Sequence, residues 1–327
     1  MLSIFRTNQL LISFLLLFYG AALHSFMVVF PGNSAQFVGG ILFRGVAGWI
    51  PEDPYWQAAA VTLLVFVQAF MLNILEYNYR LNRDINMYAG VFFILFVSFS
   101  PIFQVLSPVY FANIFLFAVL YELMDLSRKN RPEGNIFNAG FFTGIAALFY
   151  PAAAFFLFLI FIALNVMRGV VFRERAIVVT GFLVAYFLAG TLFYQLDRLQ
   201  EFLDLQFINA YAFLDFGKAG MLWELLPWAV IMVVALWNQS NFFQKQNMLT
   251  QKRISLLYWM VFIGLATALV QPSFVMEHLL LAALPVGFLS GMVFGRMRQN
   301  WAEIWHFLLL LALLLFHYGP LLMKYLS

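Results

Sequence analysis

Residues Asn138–Met167 read NAGFFTGIAALFYPAAAFFLFLIFIALNVM, an uncharged stretch interrupted by Pro151 and flanked by cations on both sides. Arg128, Lys129 and Arg131 precede it, and Arg168, Arg173 and Arg175 follow it. Short loops rich in Lys and Arg stay on the cytoplasmic side, so a segment with basic loops at both ends enters the membrane and returns. The first arm, Ala139 to Tyr150, would be roughly 18 Å long at ~1.5 Å per residue, short of a hydrocarbon core of about 30 Å. The reading is a dipping half-helix, a turn at Pro151 and a fuller helix. The backbone freed near the proline must then be covered by protein or by a water-filled cavity.

The rest of the chain agrees with a membrane setting. Hydrophobic residues make up 64% of the 327 and charged residues 10%, with a mean hydropathy of +0.88. Soluble domains carry about 25% charged residues, so a soluble globular protein is excluded. The expectation is an all-α polytopic membrane protein, one integral membrane domain over 1–327, because no polar gap is long enough for a second domain. The net charge of +3 and pI near 9.1 arise from cations scattered over loops, which topology explains without nucleic acid. Cysteine is absent, which removes disulfides, thiolate metal sites and cysteine nucleophiles. The start, MLSIFRTNQ before an apolar run, shows no small-residue cleavage site and predicts a retained first helix.

Apolar runs near 10–30, 58–75, 87–104, 108–125, the 139–167 pair, 176–194, 220–237, 256–270, 279–294 and 304–323 predict about eleven membrane helices. With the N-terminus cytoplasmic, the hairpin leaves fourteen of the 18 cations inside and Arg44, Arg198, Lys218 and Lys324 outside. A single span in its place would divide the 18 evenly. The bias favours the hairpin. Two outer segments are too polar or too broken to span. Residues 31–57, PGNSAQFVGGILFRGVAGWIPEDPYWQ, suit a short surface helix and turns. In 195–218, Leu196, Leu199, Leu203 and Ala210 mark an apolar stripe while Asp197, Glu201 and Asp204 fall on another face, the pattern of an interfacial helix or lid.

Ionisable groups at membrane depth are costly, so the acidic residues come first as functional candidates. Glu52 and Asp53 in the outer PEDPY turn could supply a general base for an acceptor hydroxyl. The competing reading is ordinary turn chemistry. Glu277 and His278, after Pro272 and at the start of a late helix, form a second outer candidate. Helix-dipole stabilisation of a carboxylate is the structural alternative there. Glu224 is similar, and Glu122 and Asp125 read as partners for neighbouring cations. His24, His306 and His317 match no metal-ligand spacing. Neither a phosphate-binding P-loop nor an HExxH motif occurs.

Three pieces resemble the GT-C architecture, the polytopic glycosyltransferases that use polyprenyl-phosphate sugars. They are the outer loop after the first helix, FNAGFFTGIAALFYPAAAFFLFLIFIALNVMRG at 137–169, and EHLLLAALPVGFLSG at 277–291. The chain also resembles an uncharacterised multi-pass inner-membrane family of Bacteroidota. The first resemblance implies transfer of a sugar from a polyprenyl-phosphate donor at the outer face. No organic cofactor is implied, and a divalent metal is compatible with it. Glu52 and Asp53 would then be catalytic, and Arg44, Arg198, Lys218, Glu277 and His278 would bind substrate. Enzymes of that architecture carry an acidic residue early in the first outer loop, where this chain reads PGNSAQF with Asn33. An amide can act neither as base nor as a metal-binding carboxylate.

Two other functions compete with the transferase. A non-catalytic membrane component of envelope assembly fits Asn33, and a lipid or solute transporter would place charges near helix centres, where this chain has almost none. All three readings share membrane lipids as partners. The hairpin topology predicts that a cysteine placed at residue 172, in this otherwise cysteine-free chain, will resist an impermeant thiol reagent added outside intact cells; labelling from outside would refute it.

Overall fold

In the computed structural model, residues 2–6, 10–29, 39–82, 86–129, 131–208, 246–270 and 276–326 are described, together with Tyr211 and Val233. Every regular element among them is helical. The helices are α1 (Leu10–Val29), α2 (Ile41–Ala47), α3 (Pro54–Tyr79), α4 (Tyr88–Phe99), α5 (Pro108–Asp125), α6 (Glu133–Phe149), α7 (Phe156–Met167), α8 (Phe172–Gln195), α9 (Leu199–Leu203), α10 (Met248–Thr267), α11 (Leu280–Arg296) and α12 (Gln299–Leu326). Among the described residues, five stretches are long and apolar enough to cross a membrane: Pro54–Tyr79, Pro108–Arg128, Phe172–Gln195, Met248–Val270 and Glu277–Arg296. Four shorter apolar helices, Ile12–Ser25, Tyr88–Phe99, Pro151–Met167 and Gln299–Leu315, accompany them. The run expected at 220–237 lies outside the described residues except for Val233, as do Asn33, Lys218 and Glu224.

Local sequence sets several helix starts. Ser107 caps α5 by accepting from Val109 N at 3.1 Å, with Pro108 in the first turn where no amide is needed. Asn247 caps α10 through Thr250 N at 2.8 Å. The centre of the bundle is α4, whose twelve residues are all buried, beside α11, whose apolar window is 94% buried. Phe92 and Phe294 stack there with centroids 3.9 Å apart. Helices α1, α3, α5, α10 and α12 surround this core, and α6 packs on α5 with α8 behind it. Helix α8 lies on the outside of this group, with only 22% of its apolar stretch buried.

The helix pair α6–α8 comes together backbone to backbone. Gly140 and Gly144 on α6 face Gly181 and Ala185 on α8; a methyl on Gly181 would meet Phe141 N at 3.0 Å and press harder still on Phe137 O. Lipid tails are as apolar as leucine, so helices in a membrane gain from this close van der Waals fit between small residues.

The hairpin is longer than the half-helix predicted from sequence. Helix α6 begins at Glu133 instead of Ala139, which at ~1.5 Å per residue makes it about 26 Å long. Its polar start is kept helical by bonds to α5: Asn138 Nδ2 donates to Glu122 Oε1 at 3.1 Å, and Asn135 donates to Glu122 Oε2. After the short turn Pro151–Phe155, α7 brings the chain back. The two ends of the bundle differ in character. One carries the hairpin tip; the other carries Arg6, Arg80, Arg128, Lys129, Arg131, Arg168, Arg173, Arg175, Lys252, Arg253, Arg296 and Arg298. At that basic end, buried Arg253 donates twice to Met124 O, at 3.0 and 3.1 Å, and both its guanidinium and that of Arg128 lie over the Tyr79 ring. Asp125 pairs with Lys129 at 3.1 Å.

Replacing Gly181 by Leu should therefore part α6 from α8 and cost about 1–3 kcal/mol, the usual range for overpacking. Gly134→Ala, where nothing lies within 4 Å of the added methyl, should leave the thermal midpoint in detergent unchanged. Equal midpoints for the two variants would overturn the close-packed crossing.

Candidate functional site

The chemistry-bearing side chains gather at the tip end, and the hairpin turn organises them. A proline at 151 cannot donate to α6, so the last carbonyls of that helix need partners from elsewhere. Gly40 N donates to Phe149 O at 2.8 Å, Gln206 Nε2 to Leu148 O at 3.1 Å, and Tyr211 OH to Pro151 O at 3.1 Å. Ala153 N closes on Tyr150 O at 2.8 Å. Protein groups from both outer segments thus cover the freed backbone. Gln206 is fully buried, and its Oε1 in turn accepts from Tyr186 OH at 3.3 Å.

Tyr150 itself points toward the late helix. Its hydroxyl hydrogen-bonds to His278 Nδ1, and the neighbouring Glu277 accepts from Ser107 Oγ, the same hydroxyl that caps α5. Glu277 and His278 sit on a short turn, Met276–Leu279, ahead of α11, and both are buried. Glu277 is also close enough to Tyr110 and Tyr150 to act on both electrostatically. Tyr110 OH donates to Phe103 O, Gln68 Nε2 to Tyr110 O at 2.8 Å, and Asn113 Nδ2 to Leu280 O at 2.9 Å. Five elements meet here: the hairpin turn, the short turn Pro101–Gln104, α3, α5 and the start of α11. Deeper in the bundle the histidines are hydrogen-bonded, His24 to Thr62 Oγ1 at 3.1 Å, His306 to Tyr19 OH at 3.0 Å and His317 to Ser98 O at 2.8 Å.

The other candidates lie elsewhere. Glu52 and Asp53 are exposed, and Asp53 Oδ1 accepts from Tyr55 N at 2.9 Å as the N-cap of α3, ahead of Pro54. That is the turn chemistry a Pro-Glu-Asp-Pro run allows. Arg44 and Arg198 do converge, on a shared carboxylate. Arg198 Nε and Nη2 grip Glu201 at 2.7 and 3.0 Å, and Arg44 Nη1 reaches Glu201 Oε1 at 3.5 Å. The hydrogen bonds from Arg198 hold the Glu201 carboxyl below its ordinary range, so the clamp persists as pH falls into the usual carboxylate range. Beneath it, Ile41, Leu148, Ala189, Phe193, Phe202 and Leu205 form a small core that seats α2 and α9 on the ends of α6 and α8. Glu201 and Ser107 escape a reading by motif. Only the three-residue spacing from Arg198 and the Ser-Pro start of α5 hint at them.

Among the described residues, no group of three or more His, Cys, Asp or Glu side chains is placed to hold a metal ion. Glu52 and Asp53 lie on an exposed turn where one carboxylate is already a cap, which does not fit a divalent metal bound there.

Gln206→Leu removes the donor to Leu148 O while keeping bulk, and leaving a buried carbonyl without a partner should cost about 1–3 kcal/mol. The loss should appear as faster proteolysis in 195–208 and a lower thermal midpoint; no change in either would show that this segment does not depend on the bond.

No curated protein and no solved structure matches the chain. Its residues 51–326, helices α3 to α12 with their connections, match the model of a family of unknown function, DUF6427, and the chain belongs to that family.

Proposed function

We propose that the protein is a non-catalytic integral component of the inner membrane that supports assembly of the cell envelope, with its N-terminus and basic end in the cytoplasm. What carries this reading is that most of the described groups a transferase would use are engaged in bonds that hold the fold. Asp53 caps α3, Arg44 and Arg198 share Glu201, Glu277 takes the Ser107 hydroxyl, and His278 takes Tyr150. A catalytic base needs access to the proton it removes, and a departing phosphate needs uncompensated positive charge. Hydrogen-bonded polar networks of this kind rigidify a bundle and fix one arrangement of its helices.

The convergence of Glu277, His278, Tyr150 and Ser107 favours one second reading, a GT-C-like transfer of a polyprenyl-phosphate-linked sugar with Glu277 as the base. The two readings separate on Glu277→Gln, because glutamine still accepts the Ser107 hydroxyl but takes no proton at neutral pH. In a strain lacking the gene, with detergent sensitivity of the envelope as readout, E277Q and the pair E52Q/D53N should each restore the wild-type level at normal membrane abundance. Asparagine remains a good cap, so the second variant keeps α3 intact. Failure of E277Q at full abundance would replace this reading with the transferase, for which loss of a base lowers turnover by about 10²–10⁴.

A further inference from the structure

The basic end holds a feature that the envelope role leaves unused. Helix α7 ends where Arg168 N and Gly169 N both donate to Leu164 O, at 2.9 and 3.1 Å. Gly169 then turns with φ +109°, a conformation that side-chain-bearing residues rarely adopt. The turn throws Val170, Val171 and Phe172 outward, and they are 72%, 47% and 84% exposed.

Three consecutive apolar side chains left in water at the end of a membrane bundle are unfavourable, and the residues around them are cationic. Arg168 is neutralised by Glu174 at 3.0 Å. Arg175 donates to the neutral amide of Asn165 at 2.8 Å, and Arg173 is exposed. Two guanidinium charges, Arg173 and Arg175, therefore follow the apolar triplet with no carboxylate among their own bonds to offset them. An apolar wedge bracketed by arginines matches the boundary between acyl chains and anionic headgroups, where each cation adds attraction and the hydrophobic side chains insert.

We propose that residues 168–175 are a docking site for anionic phospholipid, with Val170, Val171 and Phe172 in the acyl boundary and Arg173 and Arg175 on the headgroup phosphate. The site stands independently of the envelope role, since it rests on the exposed triplet and its charges alone. An acidic protein segment is the competing occupant, and the lipid is favoured because the triplet lies at the end of two membrane helices, α7 and α8.

The absence of cysteine makes the test direct: Val170→Cys carries a single environment-sensitive fluorophore on the full chain, reconstituted in vesicles of phosphatidylcholine with or without phosphatidylglycerol. Acrylamide should fail to quench the label. Bromine-labelled phosphatidylglycerol should quench it more than bromine-labelled phosphatidylcholine at equal mole fraction, with roughly five-fold enrichment per cation at low salt. Arg173→Gln with Arg175→Gln should bring the two lipids to parity, while Arg173→Lys with Arg175→Lys should keep the preference and shows that charge, not folding, sets it. A label open to acrylamide in both vesicles, equal quenching by the two lipids, or a preference that survives the glutamine pair would each overturn the site. So would release of the label to acrylamide by an acidic peptide.

Discussion

Hydrocarbon offers no hydrogen bonds, so every backbone carbonyl at membrane depth must find its partner inside the protein. The helical hairpin breaks that rule at Pro151, and the tip end of the molecule is built around the repair. Three donors from two parts of the chain, Gly40 N from one and Gln206 Nε2 and Tyr211 OH from the other, meet the open carbonyls at Phe149, Leu148 and Pro151. Unpaired groups there would cost several kcal/mol each, which is enough to dictate where the two outer segments lie. Their path is set by the hairpin, and the Arg44–Glu201–Arg198 clamp adds only a solvent-exposed contact of small worth.

The same solvent argument governs the rest of the packing. Apolar side chains gain little by leaving lipid for protein, so specificity falls to close backbone approach and to polar bonds. The α6–α8 crossing uses the first device and α3–α5–α11 the second, through Gln68, Asn113 and Ser107. Arg253 shows the second device at the basic end, where a buried cation is held by the carbonyl at the end of α5 and by the face of Tyr79. Stacking on an aromatic ring lets a guanidinium stay charged with little water around it.

Helical class and the return of the hairpin were readable because they depend on composition and on loop charge, both properties of neighbouring residues. The start of α6 was misplaced for the converse reason. Pro132, Glu133, Gly134 and Asn135 read as a loop, whereas α6 starts at Glu133 and its first turn is held by bonds of Asn135 to Glu122 on another helix and to Lys129. Likewise the Asp53 cap follows from Asp-Pro at a helix start, two adjacent residues, whereas the Ser107–Glu277 bond joins positions 170 residues apart. Tyr150 ends the arm predicted from sequence, yet its partner His278 comes from a turn that the sequence alone could not bring to it.

The arrangement at the tip also limits what motion the protein can use. Tyr150 is bonded to His278 on the turn before α11, and Glu277 beside it is bonded to the cap of α5, so the hairpin cannot withdraw without exposing polar groups from all three elements at once. Those groups are buried, and each left unpaired would bear its full desolvation cost. An alternating transporter rocks one bundle against another around its site and needs contacts there that can exchange. Here the contacts tie the hairpin to the buried α11 instead, while the largely exposed α8 is fixed to α6 through small residues. These bonds join the hairpin and the central helices into one piece, so a movement of the tip would have to carry α5 and α11 with it.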